Sequence, residues 1–417
     1  MKLTKRDLLK TLSKAAAIAL FSTTATFSLA DGISAKLDAW LMENSLGSHA
    51  TGQENWDEIV AAAKEEGEVS VYTASGRIAK LVDHFEALYP GIKLTVYDLG
   101  SVKTIEKTVR EQDAGIFTTD VITTGNSGQV IYELLGKNRI FNYVPAHYVD
   151  RIPLENRDPL LIRVNEAMVF FYNTELHPDV APISNVWELT QEKYRGRVGV
   201  KNPMASGSSL MGLATLVQEP EEMAAAYKRL TGEDIVLGDG VPDAGYEFVR
   251  RMLANDLVIY KSGSKLVDAA GKAGQDDALI VMGSMTYISR NESKGNVNAM
   301  LSDLDPVSRM VFPTYMSIAA HAPNPNAAKV LIAYLLGSTD INLDTKLEKP
   351  YIEGASFDLL QGLAPYHDAG SVSPRSDVPL PQGGEIWDQM KGWNVSAKFM
   401  WEQGPKLRDF WNIHSSK

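Results

Sequence analysis

Four polar clusters in this sequence each follow an apolar stretch that is typical of a β-strand. Most of them combine Ser or Thr with Gly and lead toward a helix. A helix N-terminus offers unpaired N–H groups and partial positive charge, and Gly lets the backbone approach a ligand closely. This chemistry suits a phosphate, a phosphonate or a carboxylate. The clusters are Thr73-Ala74-Ser75-Gly76-Arg77, Thr123-Thr124-Gly125-Asn126-Ser127, Ala205-Ser206-Gly207-Ser208-Ser209 and Gly283-Ser284-Met285-Thr286-Tyr287.

Each cluster has a simpler explanation when it is taken alone, because Ser and Thr are favoured helix N-caps. Four clusters at the predicted carboxyl ends of strands favour one shared ligand crevice, since open α/β sheets bind ligands there. The candidate ligand-binding residues are Thr73, Ser75, Arg77, Thr124, Asn126, Ser127, Ser206, Gly207, Ser208, Ser209, Ser284, Thr286 and Tyr287.

Two of these candidates carry larger functional groups. The guanidinium of Arg77 can pair with an anion through its planar fork, or it can be an exposed surface charge. Tyr287 can donate a hydrogen bond, stack on a ligand or bind a hard metal ion, or it can be a half-buried aromatic at a strand end. The sequence leaves both alternatives open.

The order of apolar segments predicts the elements that position these clusters. Strand and helix patterns alternate after residue 56, as in βαβ units with a parallel sheet. Two long apolar strands, "EAMVFFYNTEL" and "RMVFPTYMSIAAHAP", lie further along, and we expect Pro313 to interrupt the second. We therefore predict an α/β protein with two lobes, each a mostly parallel sheet flanked by helices, joined by two crossover strands.

The predicted boundaries follow from these patterns. They are a signal peptide at 1–30, an N-terminal extension at 31–55, a first lobe at 56–163 to which 309–340 returns, a second lobe at 164–308, and a helical tail at 341–417 that packs on the lobes.

Composition limits the classes of function. The chain has 417 residues, a formal net charge of −11 and no cysteine, which argues against a nucleic-acid partner and excludes disulfides and thiolate metal sites. The N-terminus has a basic start, an apolar run and a small-x-small pattern at Ser28-Leu29-Ala30, which predicts export. Its "TKRDLLK" resembles a twin-arginine signal in which Lys5 replaces the first Arg.

Catalytic motifs give little support to an enzyme. Ser262–Lys265 fits S-x-x-K, but the companion signatures of that motif are missing. The seven His are scattered, and there is neither a P-loop nor a G-x-G-x-x-G. We predict a protein that is not an enzyme and has no cofactor.

The ordered set of segments resembles a known family. The pieces "VSVYTASG", "FEALYPGIKL", "TTDVITTGNSG", "AMVFFYNTEL", "YRGRVGVKNPMASGSS", "DALIVMGSMTY" and "HAPNPNAAKVLIAYLL" look like the extracellular solute-binding proteins of ABC importers, over about residues 56–340. The most similar branch is the ferric-iron, phosphonate and sugar-phosphate type, with the type II periplasmic-binding fold. The resemblance implies hinge closure on one ligand and delivery to a membrane permease.

The resemblance also implies site residues. The Pro-x-x-Ser-Gly loop of relatives holds an anion, which indicates Ser206, Gly207, Ser208 and Ser209. A Tyr-Tyr pair of the iron-binding relatives corresponds here to Thr286-Tyr287, and the loss of one phenolate disfavours ferric iron. We expect a monomeric periplasmic receptor for a phosphorylated or phosphonate compound. A ferric-iron-binding protein with Tyr287 as a ligand is the alternative, followed by an exported enzyme.

Overall fold

The computed structural model describes residues 34–339, 351–352, 356–381 and 384–415. The predicted signal peptide and the predicted start of the tail at residue 341 lie outside these ranges. From Lys36 onward the described residues form one compact unit.

The strands are short in the two lobes and long where the chain crosses between them. Their bounds are β1 Glu68–Thr73, β2 Lys93–Asp98, β3 Val121–Thr124, β4 Ile140–Phe141, β5 Ile162–Asn173, β6 Val198–Lys201, β7 Val258–Tyr260, β8 Ile280–Ser284, β9 Asn298–Met300, β10 Arg309–Ala319, β11 Tyr351–Ile352, β12 Leu380–Pro381 and β13 Gly392–Asn394.

The helices connect and cover these strands, and several 3₁₀ turns and a π-helix at Gln129–Leu135 lie between them. Their bounds are α1 Ala35–Glu43, α2 Trp56–Glu66, α3 Val82–Leu88, α4 Ser101–Asp113, α5 Gly207–Gln218, α6 Pro220–Thr231, α7 Ala244–Ala254, α8 Gly263–Gly271, α9 Arg290–Lys294, α10 Pro325–Leu335, α11 Phe357–Leu360, α12 Ala364–His367, α13 Glu385–Gln389 and α14 Ala397–Ser415.

One sheet runs through both lobes in the order β2-β1-β3-β10-β5-β8-β6-β7. Strands β1, β2 and β3 are parallel in the first lobe, and β6, β7 and β8 are parallel in the second. Strand β10 is antiparallel to both β3 and β5, so β5 and β10 are the two strands that join the lobes. The predicted α/β, two-lobed architecture is confirmed, while the exact lobe boundaries stay a prediction.

Local signals explain several helix ends. Asn55 caps α2 by accepting a hydrogen bond from the N–H of Glu58, and Gly67 ends that helix in the left-handed region at φ 80°. Asn and Gly are favoured at these two positions, because the amide oxygen pairs a free N–H and Gly has no Cβ to clash. Residues next to the helix therefore define both of its ends.

Strand β10 does not break at Pro313, so that expectation is wrong. Pro313 pairs with Asn165 on β5, and both backbone hydrogen bonds of Asn165 go to Val372 on its other side, at 2.9 and 3.0 Å. The ladder therefore needs no N–H from residue 313, which is the group that proline lacks.

The C-terminal part of the chain packs on both lobes. Leu360 and Leu363 belong to the buried core of the first lobe, whereas Leu407 and Trp411 of α14 belong to that of the second. Helix α14 also contacts the π-helix of the first lobe, where Trp401 stacks on Tyr132 with ring centroids 5.6 Å apart. Within the described ranges, no helix has the length and apolarity needed to cross a bilayer.

Candidate functional site

A cavity of about 520 Å³ lies between the two lobes, at the carboxyl ends of β1, β2, β6 and β8. The two strands that join the lobes, β5 and β10, also contribute residues to its lining. The residues that line it are Ala74, Ser75, Gly76, Arg77, Lys80, Asp98, Gly100, Ser101, Gly125, Arg163, Glu166, Lys201, Ala205, Ser206, Ser208, Met211, Ser264, Ser284, Thr286, Tyr287, Phe312 and Thr314.

Three helices begin at the wall of this cavity. The first residue of α4, Ser101, lines it from the first lobe, and Ser208 of α5 and Ser264 of α8 line it from the second. Each N-terminus carries partial positive charge, although serine oxygens accept hydrogen bonds from some of the first N–H groups of α5 and α8. The arrangement directs the positive ends of three helix dipoles toward the same cavity.

The Ser206 loop both caps a helix and lines the cavity. Ser206 Oγ accepts a hydrogen bond from the N–H of Ser209 at 3.4 Å and lies 3.2 Å from Ser208 Oγ. The N–H of Gly207 donates to Ser101 Oγ across the lobes at 3.0 Å. A Cβ at Gly207 would lie 2.9 Å from that oxygen, so glycine permits this close contact between the lobes.

Some of the candidates predicted from the sequence lie together in the cavity wall. These are Ser75, Arg77, Ser206, Ser208, Ser284, Thr286 and Tyr287.

The other candidates lie behind the wall, where they support the loops. Thr73 Oγ1 accepts a hydrogen bond from the N–H of Ser75 at 3.0 Å, and it is fully buried. Asn126 adopts φ 73° and donates its side-chain amide to Gln129. The candidates outside the lining are Thr73, Thr124, Asn126, Ser127, Gly207 and Ser209.

Sequence reasoning overlooked most of the charge in the cavity. Lys201 ends β6 immediately before the Ser206 loop, and Lys80 lies one helical turn after Arg77. Arg163 and Glu166 project from β5, where the other residues are apolar or aromatic apart from Asn165 and Asn173. A charged residue inside an apolar strand is rare unless it is paired or functional, and that signal was available in the sequence.

A β-bulge turns Arg163 toward the cavity. Thr314 pairs with Val164, but the next residue, Tyr315, pairs with Ile162, so Arg163 is an extra residue in β5. Side chains three apart in a strand normally point to opposite faces. The bulge instead places Arg163 and Glu166 on the same face, as bulges beside binding sites often do.

The guanidinium of Arg163 is buried and only partly paired. Its side chain is 2% exposed, and Nε donates to Thr123 Oγ1 at 2.9 Å. Nη1 has no hydrogen-bond partner among the described residues. An unpaired buried donor on a charged group is costly, so a ligand that accepts this hydrogen bond would be stabilised.

The cavity has an excess of positive charge. Four cationic side chains, those of Arg77, Lys80, Arg163 and Lys201, face two carboxylates, Asp98 and Glu166.

Only part of this positive charge is compensated by carboxylates. Arg77 Nη1 lies 3.8 Å from Glu166 Oε1. Burial lowers the pKa of Lys201, and no charged or hydrogen-bonding partner among the described residues opposes that effect. An anion in the cavity would supply the missing counter-charge.

Tyr287 is the one tyrosine in the described lining. Burial raises the pKa of its phenol, although the charge of Arg77 acts in the opposite direction. A Cβ at Gly263 would lie 2.9 Å from its Oη, which places the phenol against the start of α8. The phenol is therefore protonated near neutral pH and is available as a hydrogen-bond donor.

Metal-binding and nucleophilic arrangements are weak in the described part of the chain. No group of three or more His, Cys, Asp or Glu is arranged there to hold a metal ion. The Ser262–Lys265 motif is a helix cap, since Ser262 Oγ accepts a hydrogen bond from the backbone N–H of Lys265 at 3.4 Å.

A second opening of about 700 Å³ adjoins the cavity and shares Arg77, Lys80 and Tyr287 with it. Phe357 and Pro365 of the C-terminal region contribute to its wall. The combined cleft has space for an organic group beside a charged one.

Comparisons with known proteins place this geometry in context. A family model described as bacterial extracellular solute-binding protein matches residues 80–346. Iron-bound HitA from Pseudomonas aeruginosa is 13% identical with a TM-score of 0.62, and the alignment covers 83% of this chain and 99% of that one. The ferric binding protein from Campylobacter jejuni is 15% identical with a TM-score of 0.61, over 83% and 99% of the two chains.

A third solved structure is the substrate binding protein of the ABC transporter from Agrobacterium tumefaciens. It is 13% identical with a TM-score of 0.60, over 84% of this chain and 94% of that one. No curated protein matched the sequence. The solved structures confirm the predicted type II periplasmic-binding fold.

Proposed function

The chain belongs to the family of bacterial extracellular solute-binding proteins, and from that premise we propose that it binds a small organic anion, a phosphate ester or a phosphonate, between its lobes. It is the solute-binding component of an ABC transporter and not an enzyme. Such components work with a membrane permease, to which this one would deliver its ligand from the periplasm.

The charge of the cavity carries the proposal. A chain with a net charge of −11 surrounds its interlobe cavity with four cationic side chains and only two carboxylates. Among the described residues, Arg163 presents a buried N–H without a partner, and the half-buried Lys201 has no counter-charge. A phosphate or phosphonate group offers several acceptor oxygens for the N–H of Arg163 and at least one negative charge for the ammonium of Lys201.

The helix N-termini and the hydroxyls add to this preference. Helices α4, α5 and α8 begin at the cavity, and Ser206, Ser208 and Tyr287 provide neutral donors there. Neutral donors and helix dipoles hold an anion without requiring further cations. The adjoining opening of about 700 Å³ favours an anion with an organic part over inorganic phosphate alone.

A thermal-shift panel on protein that has been unfolded and refolded to remove ligand tests the proposal. The panel contains sugar phosphates, phosphonates, dicarboxylates, amino acids, polyamines and ferric citrate. A ligand at about 1,000 times its Kd adds ~4 kcal/mol of stability, which is readily detected. We expect the largest shift from a phosphorylated or phosphonate compound.

A double variant with a matched control separates binding from helix capping. Ser206→Ala with Ser208→Ala removes two lining hydroxyls and one N-cap, and each lost hydrogen bond weakens binding about 3- to 10-fold. Asn55→Ala removes the N-cap of α2, whose hydrogen bond is also 3.4 Å long, far from the cavity. The control should lose about 1 kcal/mol of stability and keep its ligand-induced shift.

Ferric iron is the second candidate, because Tyr287 lines the cavity and similarly folded proteins are described as iron-bound and ferric-binding. The donor set fits iron less well, since Tyr287 supplies an anionic oxygen only after its phenol of raised pKa loses its proton. Of the two carboxylates in the lining, Asp98 and Glu166, the second already faces Arg77 at 3.8 Å. A visible phenolate-to-iron charge-transfer band after loading with ferric citrate, lost in Tyr287→Phe, would favour iron. A shift with iron alone and none with any anion would overturn the anion proposal.

A further inference from the structure

A segment of the C-terminal region, residues 364–373, lies directly behind the cavity. It lies beyond residue 346, where the family match ends. The ring of Tyr366 is 1% exposed. Its centroid is 3.8 Å from Cζ of Arg163 and 5.7 Å from Cζ of Arg77. One buried ring of this segment therefore contacts both arginines of the cavity wall.

The ring is the main support for Arg163. The only hydrogen bond of its guanidinium in the described structure runs from Nε to Thr123 Oγ1 at 2.9 Å, and Nη1 is buried without a partner. A cation over an aromatic face is attracted by the ring quadrupole, most strongly where water is excluded. The stacking fixes the plane of the guanidinium, while Nη1 keeps its hydrogen-bonding capacity unused by the described residues.

The same segment also holds the carboxylate that faces Arg77. Ser371 Oγ donates to Glu166 Oε1 at 2.8 Å, the oxygen that lies 3.8 Å from Arg77 Nη1. The backbone of Val372 exchanges two hydrogen bonds with Asn165, next to Glu166 on β5. Ser371 thus fixes the position of the carboxylate, and at 3.8 Å Glu166 compensates the charge of Arg77 less than a shorter, hydrogen-bonded salt bridge would.

We infer that the C-terminal segment completes the anion site, with Tyr366 and Ser371 as positioning residues that keep the two guanidiniums available to one oxyanion. The inference rests on the proposed function. It specifies the ligand group further, as an oxyanion with at least two oxygens that can bridge Arg77 and Arg163.

The phenol oxygen of Tyr366 allows a clean substitution. Its Oη is buried and has no hydrogen-bond partner in the described structure, so Tyr366→Phe keeps the ring and loses no hydrogen bond. Tyr366→Leu removes the ring. Leu363→Ala is the control, because Leu363 is buried in the same region and belongs to the core of the first lobe, whereas the cavity lining does not include it.

The experiment measures the Kd of full-length protein for inorganic phosphate and for the best anion of the panel by isothermal titration, below the unfolding range of every variant. We expect Tyr366→Leu to bind about 10- to 30-fold more weakly, and Tyr366→Phe and Leu363→Ala to stay within about twofold of the unsubstituted protein. Ser371→Ala should bind about 3- to 10-fold more weakly than the control Ser373→Ala. Equal binding by Tyr366→Leu and Tyr366→Phe would overturn the inference and leave the proposed function standing.

A measurement on the ligand-free protein tests the positioning role of Tyr366 separately from the proposed anion binding. The Nε–H NMR signals of Arg163 and Arg77, identified by their loss in R163K and R77K, report the ring directly. The chemical shifts of these signals should change in Tyr366→Leu but not in Tyr366→Phe or Leu363→Ala. If the unsubstituted protein binds no anion, the proposed function fails and the inference fails with it as a ligand site. Unmoved signals in Tyr366→Leu would show separately that the ring does not position the arginines.

Discussion

Replacing Lys201 by Met should improve folding and impair binding at the same time. Lys201 lines the cavity, and burial lowers the pKa of its ammonium without a compensating partner among the described residues. Met has a similar length and no charge to desolvate. We expect the ligand-free Lys201→Met protein to gain about 1 kcal/mol in free energy of unfolding, since buried charges are often replaced by apolar groups with such a gain.

The pH dependence of that gain has a definite sign. The folded-state pKa of Lys201 lies below its unfolded value, so below the folded pKa the folded protein bears the cost of a half-buried charge. The cost disappears as the pH rises toward the ordinary lysine pKa of about 10.4. The difference in unfolding free energy between the variant and the unsubstituted protein should therefore shrink as the pH rises toward 10.

Whereas the Lys201→Met substitution should increase stability, it should decrease the affinity for the anion. A charge-assisted hydrogen bond contributes ~1.5–3 kcal/mol, so its loss should weaken anion binding about 10- to 150-fold. Binding by the unsubstituted protein should also weaken as the pH rises through the lowered pKa of Lys201 and its ammonium loses its proton. The variant should lack that component of the pH profile.

Two measurements on the same samples check this reasoning. Chemical denaturation of the ligand-free proteins gives the stabilities, and isothermal titration from pH 6 to 10 gives the affinities. Lys64→Met, on the exposed face of α2, is the control and should change neither quantity appreciably. A Lys201→Met protein that is less stable and binds its anion unchanged would show that Lys201 supports the fold and does not hold the ligand.

Two further predictions concern the contact between the lobes and the acid stability of the second lobe. Gly207→Ala should weaken ligand binding about 10-fold and enlarge the radius of gyration of the ligand-bound protein in small-angle X-ray scattering, because the new Cβ would lie 2.9 Å from Ser101 Oγ and 3.1 Å from Asn126 Cβ. Adding Ser101→Gly should restore both only in part, since it removes the first clash but also the hydrogen bond from the N–H of Gly207. A double variant no better than Gly207→Ala would contradict the steric explanation. Burial alone would raise the pKa of Glu247, but hydrogen bonds from Arg250 and Arg251 outweigh it and lower the pKa to about 2. Glu247→Gln should therefore cost about 3 kcal/mol at pH 7, a difference that vanishes as the pH falls from about 4 to 2, and a constant difference over that range would refute the assignment.

The sequence predicted the fold because its signals are local and repeated. The alternating strands and helices and the two long apolar strands each require only nearby residues to be interpreted. The hydroxyl clusters at the strand ends were likewise identifiable from composition and order. The sequence did not show which of these hydroxyls face the cavity. Thr73 and Ser209 do not, because local hydrogen bonds turn their side chains into the loops.

The charged part of the site depends on contacts between distant parts of the chain. Arg163 faces the cavity only because β5 has an extra residue opposite β10, and no pattern within β5 encodes that bulge. Tyr366 and Ser371 are far in sequence from every strand-end cluster. Their contacts with Arg163 and Glu166 therefore become evident only in the folded protein, where the tail packs on the lobes. Pro313 was misjudged for a related reason, since its tolerance depends on Val372.

The place of β10 in the sheet has a consequence for the order in which the protein can form during synthesis. One neighbour of strand β3, β1, precedes it in the sequence, so it is already made when β3 is synthesised. The other neighbour is β10, so Thr124 has no strand partner on that side until Tyr315 has been made. Until then the growing chain exposes an open strand edge, which is a template for association with other chains. The first lobe therefore lacks one of its strand partners until β10 has been made. A nascent chain stopped after the second lobe should require chaperone protection, and the two lobes should acquire their stability together.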